Sequence, residues 1–228
     1  MRRQVVVAGL GRFGASLAKV LFGMGHDVLA MDIDDKKVQS MAPEITHAVA
    51  ADATDEAVLE ELGVGNFDVA VVAMGSAIQS SVLSTILLKR LGVRYVIARA
   101  ENELHGAILE KIGADKVIYP ERDMGIRVAH ELTLTDVSDY ISLTSDYGVA
   151  KVEALPSFVG RTLSELELGR GGKWEVAVLV IQHEKEFVVT PDRAEPVKSG
   201  DVLIVAGKDE KIQQWLTESK KGQAMSGE

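Results

Sequence analysis

The run Val5-Val6-Val7-Ala8-Gly9-Leu10-Gly11-Arg12-Phe13-Gly14 constrains this chain more than any other. A short β-branched stretch leads directly into G-x-G-x-x-G, and a helix-periodic pattern follows it. That order is what a phosphate-binding βα turn requires: Gly9 permits the tight turn, Gly11 lets a phosphate approach the backbone, and Gly14 lets the helix pack on the sheet. The helix start then offers unpaired N–H groups and the positive end of its dipole. The other half of the fingerprint is present too. Met31-Asp32-Ile33-Asp34 ends the second strand pattern, about 20 residues on, where an acid accepts hydrogen bonds from ribose hydroxyls. Asp32 disfavours a 2′-phosphate but does not separate NAD from ATP or ADP, which share a free ribose diol. Arg12 lies inside the loop, close to where terminal phosphates would sit, and suits a nucleotide with a charged end; the competing assignment is a helix-face arginine. For the motif as a whole, the competing assignment is a plain βα turn with a surface acid.

The pattern around this motif is regular. Apolar runs at 5–8, 27–31, 46–50, 69–73, 95–98 and 116–119 are β-branched or small, as in strands buried on both faces. Helix-like segments lie between them: 12–24 aligns Phe13, Leu17, Val20 and Leu21, and 76–91 repeats apolar residues at three- and four-residue spacing. The alternation predicts an α/β fold, a Rossmann-type doubly wound parallel sheet. Residues 121–134 read as one further helix with no strand after it to complete another unit, and so as a connecting helix. From about Asp139 the rhythm changes. Strands are expected at 140–143, 149–155, 175–181, 186–190 and 201–206, with turns at Ser145-Asp146, Gly169–Gly172, Pro191-Asp192 and Ser199-Gly200. Short helices are expected at 162–168 and 208–216. The expected organisation is therefore a nucleotide-binding domain over 1–134, a small α+β domain over 137–217 and a flexible tail over 218–228. No internal repeat is visible.

Two more segments fall at strand ends, where ligands of open α/β sheets bind. In Ala51-Asp52-Ala53-Thr54, Asp52 either caps the next helix or contacts the nucleotide. In Ala73-Met74-Gly75-Ser76, the small Ala73 and Gly75 leave room for a base edge. The net charge of −9 and pI near 5.1 argue against binding a nucleic-acid backbone or an anionic membrane surface, but leave open a protein partner. The absence of cysteine excludes disulfides, thiolate metal sites and cysteine nucleophiles. No apolar run approaches the roughly 18 residues of a spanning helix, so a cytoplasmic location is expected.

Reaction machinery is not evident. Tyr147 and Lys151 match the Tyr-x-x-x-Lys spacing of short-chain dehydrogenases, which requires a helix to bring the pair together. Gly148 follows the tyrosine and the segment reads as strand, where residues four apart stand about 13 Å from each other. His26, His47, His105, His130 and His183 show no metal-ligand pairing, and His105 reads as a helix-surface residue. A nucleotide site without acid/base chemistry points to binding as the output, not catalysis.

With Gly-Arg-Phe-Gly at 11–14, the chain resembles the cytosolic regulatory (RCK or KTN) subunits of Ktr/Trk potassium-uptake systems. Asp32, Ala51–Thr54, Ala98-Arg99-Ala100, the segment Leu109–Asp115 and Tyr119-Pro120-Glu121 carry the likeness. Gly160-Arg161-Thr162-Leu163 and Gly200-Asp201-Val202-Leu203 extend it into the second domain. The resemblance implies dimers assembled into an octameric ring beneath an integral membrane potassium-translocating subunit (KtrB- or TrkH-like). It implies ATP and ADP competing for the site in the Ktr branch, and NAD or NADH in some Trk members. Gly9, Gly11, Phe13, Gly14, Asp52, Ala53, Thr54, Ala73 and Gly75 are expected to line the site; on that resemblance, Arg12 contacts a γ-phosphate, Asp32 holds the ribose and Arg99 faces the cleft. Glu121 would help bind a divalent cation, Mg or Ca, at the dimer interface; taken alone it is a favourable first-turn acid. Some members bind cyclic di-AMP between paired C-terminal domains, but Arg170-Gly171-Gly172-Lys173-Trp174-Glu175 departs from their usual form by an extra Gly and a Glu. Alternative expectations are an NAD(H) redox-sensing subunit and a small oxidoreductase.

Overall fold

The computed structural model describes residues 2–133, 137–144 and 146–224, and the chain divides into two compact units, Met1–Glu121 and Arg122–Glu228. In the first, strands β1 (Gln4–Ala8), β2 (Asp27–Asp32), β3 (His47–Ala50), β4 (Val69–Val72), β5 (Tyr95–Arg99) and β6 (Lys116–Ile118) form one parallel sheet in the order β3-β2-β1-β4-β5-β6. Helices α1 (Arg12–Gly23), α2 (Asp35–Met41), α3 (Glu56–Glu61), α4 (Ile78–Arg90) and α5 (Glu103–Lys111) connect them. This is the doubly wound architecture expected from the alternation. Its strand order reverses between β1 and β4, which pair from Val5↔Val69 to Ala8↔Val72.

Strand alternation sends side chains to two cores. Val5, Val7, Val28, Ala30, Val69 and Val71 pack with Ala18 of α1 and with Val38 and Met41 of α2. Val6, Ala8, Leu29, Met31, Ala70, Val72, Val96 and Ala98 pack with Leu59 of α3, Leu88 of α4 and Leu109 of α5. The buried contacts of α1 are made by the small residues Gly14 and Ala18. Phe13, Leu17 and Leu21 are half-buried and Val20 is exposed, so only part of its expected apolar face is covered. On that side of the sheet, Phe13, Leu17 and Leu21 border a mostly apolar groove of about 680 Å³ that Val69, Val71, Ile97 and Ile118 also line, together with Arg3, His26 and Lys116.

Helix α6 (Pro120–Thr133) begins at the end of the first unit. The second unit holds an antiparallel sheet of β7 (Val137–Ser142), β8 (Tyr147–Glu153), β9 (Ala177–His183), β10 (Glu186–Val189) and β11 (Val202–Lys208), ordered β10-β9-β11-β8-β7, together with α7 (Asp209–Ala224). Its core gathers Tyr140, Val152, Ile181, Leu203 and Val205 with Ile212, Trp215 and Leu216 of α7, and Trp215 stacks on Phe158 at 5.1 Å. Two local readings differ from expectation. The segment 162–168 forms one hydrogen-bonded turn, not a helix. Thr162 Oγ1 accepts from Glu165 N and Glu165 Oε2 accepts from Thr162 N, while the bonds Leu168 N to Leu163 O and Glu167 N to Ser164 O close the other end. With Glu167 left-handed at φ 55°, start and stop signals sit one turn apart. The expected final helix, by contrast, runs on to Ala224, into the segment expected to be a flexible tail; residues 225–228 of that expectation lie outside the described residues.

Candidate functional site

A cleft of about 290 Å³ opens at the carboxyl ends of β1 and β4, where the strand order reverses and open α/β sheets bind ligands. Gly9, Gly11, Asp32, Asp52, Ala53, Ala73, Gly75 and Arg99 line it, so eight of the residues singled out in the sequence meet in one place. Lys37, Ala77 and Ser80 line it as well, without having been picked out. Arg12, Phe13, Gly14, Thr54 and Glu121 are not among the lining residues. Phe13 faces the apolar groove instead, and Arg12 is exposed in the first turn of α1.

The glycines divide into structural and open positions. Gly9 has φ 100°, a conformation that disfavours any side chain, and a Cβ there would meet Met74 Cγ at 2.7 Å. A Cβ on Gly14 would stand 2.0 Å from the Gly9 carbonyl oxygen, so its absence lets the helix seat on the loop. Gly11 is different: a Cβ there meets nothing within 4 Å, and the space above its backbone is open to the cleft.

Helix capping points to the same space. Among α1–α5, side chains cap α2 through Asp34, α3 through Asp55 and α5 through Asn102. The N-caps of α1 and α4 are Gly11 and Ala77, neither gives a side-chain hydrogen bond, and both line the cleft. Two helix N-termini thus present uncapped first-turn amides and their positive dipole ends to one cavity, a setting suited to phosphate. The α3 cap also answers a question left open in the sequence. Asp55 caps that helix, whereas Asp52 Oδ1 accepts from Thr54 N at 2.8 Å and Thr54 Oγ1 at 2.7 Å, fixing the loop at the cleft wall.

Asp32 closes the opposite side. Its Oδ2 accepts from Leu10 N at 2.7 Å and its Oδ1 from Asp34 N at 2.9 Å, while Lys37 Nζ lies 3.2 Å away. Burial works to raise the Asp32 pKa, but the two backbone N–H groups and Lys37 outweigh it and hold the carboxyl below its usual range. The site therefore keeps an anionic acceptor at the expected ribose position, with a cation beside it. Across the cleft, Arg99 ends β5 with its guanidinium against Gly75, whose added Cβ would stand 2.8 Å from Cζ. Arg99 Nη2 donates to Glu121, and Nη1 reaches the Ala73 carbonyl at only 3.5 Å.

Residues read as non-catalytic are placed as follows. Tyr147 and Lys151 lie along strand β8, so the dehydrogenase-like spacing is not helical. Among the described residues no group of three His, Asp or Glu side chains is arranged to hold a metal ion, and no helix is long and apolar enough to cross a membrane. His105 corrects an expectation: it is 1 % exposed, not on the helix surface. Asn102 caps the helix by accepting from the His105 backbone N–H, the ring Nδ1 accepts from Glu101 N at 3.2 Å, and burial lowers its pKa despite the charge of Glu101.

Comparison with known proteins agrees with this architecture. The family model described as the TrkA-N domain matches residues 5–120, and that of the TrkA-C domain matches 149–217. The chain is 42% identical over 207 residues to Ktr system potassium uptake protein C of Bacillus subtilis, covering 91% of this chain and 93% of that protein. It is 38% identical to Ktr system potassium uptake protein A of the same organism, covering 95% and 96%. The solved GsuK channel bound to NAD shares the fold with a TM-score of 0.60 at 17% identity, over 93% of this chain. A GsuK structure bound to ADP superposes on 60% of this chain with a TM-score of 0.50 at 19% identity. The chain spans 38% and 35% of those two channel chains.

Proposed function

The chain belongs to the family of Ktr/Trk potassium-uptake proteins built from a TrkA-N and a TrkA-C domain, and from that premise we propose that it is a nucleotide-sensing regulatory subunit, not an enzyme, that gates a potassium-translocating membrane protein from the cytoplasmic side. One observation carries the nucleotide assignment: the uncapped N-termini of α1 and α4 open on one cleft, with Asp32 on one side and Arg99 on the other. The open space at Gly11 accepts a diphosphate against the backbone, the Asp32 carboxylate accepts from the ribose hydroxyls, and Arg99 supplies positive charge. ADP and ATP fit this pattern. Arg12, exposed at the start of α1, is assigned to the terminal phosphate and Glu121 to an accompanying divalent cation, completed in each case by a second copy.

A homodimer is supported by two unpartnered surfaces. The groove bordered by Phe13, Leu17 and Leu21 is mostly apolar, with Arg3, His26 and Lys116 also lining it, and α6 exposes Met124, Ile126, Val128 and Leu132. Regulation then follows as a population shift. If ATP binds one arrangement of the paired domains more tightly than ADP does, that difference moves the equilibrium, and an assembled ring passes it to the membrane partner. Calorimetric titration of the full chain with ADP, ATP and NADH, with scattering on each complex, tests the proposal. Binding of ATP and ADP with distinct particle dimensions is expected; identical dimensions for both would remove the gating mechanism. A second reading, an NAD(H)-responsive subunit, rests on a GsuK neighbour that is a channel bound to NAD, since the glycine motif and Asp32 serve either nucleotide. NADH displacing ATP at lower concentration than ADP does would select it.

A further inference from the structure

Arg99 and Glu121 are far apart in sequence but meet because β5 and β6 run parallel, with Arg99 opposite Ile118 and Glu121 following in the first turn of α6. Arg99 is weakly held by the rest of the protein. Its five donors find the distant Ala73 carbonyl and the Glu121 carboxylate, while the buried Nε has no partner among the described residues. The guanidinium lies on the cleft floor against Gly75 and is 21% exposed, whereas Glu121 is 67% exposed. A cationic fork with an orphaned donor, aimed at an anion-binding cleft and held by one solvent-facing carboxylate, is incompletely satisfied for a permanent structural pair.

We propose that the Arg99–Glu121 pair is a latch that a nucleotide phosphate opens. This rests on the nucleotide reading above and adds to it a coupling between the cleft and α6. A phosphate offers the guanidinium two oxygens in the plane of its fork, a better match than one shared carboxylate oxygen. Arg99 turns to the phosphate, and Glu121 loses its partner. Since Glu121 lies in the first turn of the helix by which the chain leaves the first unit, filling the cleft releases the start of α6. The freed carboxylate then becomes available to a cation. Linkage works both ways: whatever draws Glu121 from Arg99 favours phosphate binding, and whatever holds it there opposes binding.

The test uses the full chain with ADP in metal-free buffer containing EDTA, which separates the latch from any cation role. Glu121→Gln is expected to tighten ADP about two- to five-fold, the range of a partly exposed ion pair. Arg99→Met should weaken ADP, and adding Glu121→Gln to Arg99→Met should bring no gain. A gain that persists without Arg99 would mean simple repulsion by the carboxylate and would overturn the latch, as would unchanged or weaker binding by Glu121→Gln alone. Hydrogen exchange gives an independent readout. ADP should speed exchange of the amides at 121–125 in the wild type, while Glu121→Gln should start fast and not respond; unchanged exchange in the wild type overturns the proposal. Wild-type protein that binds no ADP takes down the nucleotide reading itself, which is distinct from ADP binding with additive substitutions.

Discussion

The Asp32 carboxylate accepts a 2.7 Å hydrogen bond from the backbone N–H of Leu10. One residue thereby serves both halves of the proposed nucleotide site, facing the ribose position and pinning the glycine loop that would face the phosphates. Loop and acid belong to adjacent strands, so the bond also ties the end of β2 to the end of β1.

Asp32→Asn should therefore lower stability as well as binding. The amide can accept at one oxygen but turns donors toward Asp34 N or Lys37, so a buried, charge-assisted bond is lost, at a cost of about 1–3 kcal/mol. The sign with pH follows from the lowered Asp32 pKa. The wild-type advantage is fully present above the unfolded carboxyl value of about 3.9 and disappears as pH falls through the lower folded value. Urea unfolding of both proteins from pH 7 downward checks it; a stability gap that does not narrow on acidification would contradict the role given to the carboxylate.

Gly11→Ala and Gly14→Ala should separate function from folding. At Gly11 an added Cβ meets nothing within 4 Å, so stability should change by well under 1 kcal/mol while ADP binding drops at least tenfold, because the methyl occupies the phosphate approach. At Gly14 the Cβ would sit 2.0 Å from the Gly9 carbonyl oxygen, so helix or loop must move, at about 1–3 kcal/mol or more. Thermal melts beside ADP titrations decide the matter. Equal destabilisation by both variants would mean that the space at Gly11 is not a binding space.

Arg12→Ala addresses nucleotide discrimination. The side chain is exposed at the start of α1 and outside the cleft lining, so it should matter little for ADP and more for a ligand one phosphate longer. A loss of about tenfold for ATP with less than threefold for ADP is expected, from the loss of one charge-assisted phosphate contact. Competition titrations against a fluorescent adenine nucleotide measure both, and equal losses would take Arg12 out of the terminal-phosphate role.

Much of this was legible from sequence because the first unit is locally determined. Strands β1, β2 and β4 are short apolar runs buried on both faces, and the edge strands β3 and β6, though only partly buried, keep the same small or β-branched residues, so the expected bounds for β1 through β6 fall within about a residue of those observed. The glycine loop and Asp32 carry their chemistry in spacing alone. Lys37 and Ser80 were not legible, since they reach the cleft only through the first turns of α2 and α4, whose direction the sheet sets. The Arg99–Glu121 pair needs the β5–β6 register, which no local pattern reports. His105 misled because a polar residue in a helix's first turn reads as surface, whereas its ring is buried and accepts from the Glu101 N–H of the preceding loop. The helix expected at 162–168 is a single turn because the reciprocal Thr162–Glu165 cap is followed within one turn by a left-handed Glu167, a stop that lacks the usual glycine.

The second unit offers a folding test independent of the nucleotide. Gly148 lies on β8 opposite Ser142 of β7, and a Cβ there would fall 2.1 Å from Tyr140 Oη and 2.2 Å from Cζ. The ring cannot easily yield: Tyr140 is 1% exposed, and its hydroxyl donates to Asp209 at 2.5 Å at the start of α7. Burial and the neighbouring Asp209 and Asp146 also raise the phenol's pKa, keeping that donor protonated through the physiological range. Gly148→Ala must therefore displace the ring and break its bond to α7, and a loss of about 2–4 kcal/mol is expected. Both tryptophans, Trp174 and Trp215, lie in this unit and are buried. Urea unfolding followed by tryptophan fluorescence should show the midpoint falling sharply, while ADP affinity of the folded protein stays within about twofold of wild type. An unchanged midpoint would mean that the Tyr140–Asp209 contact is not what seats α7.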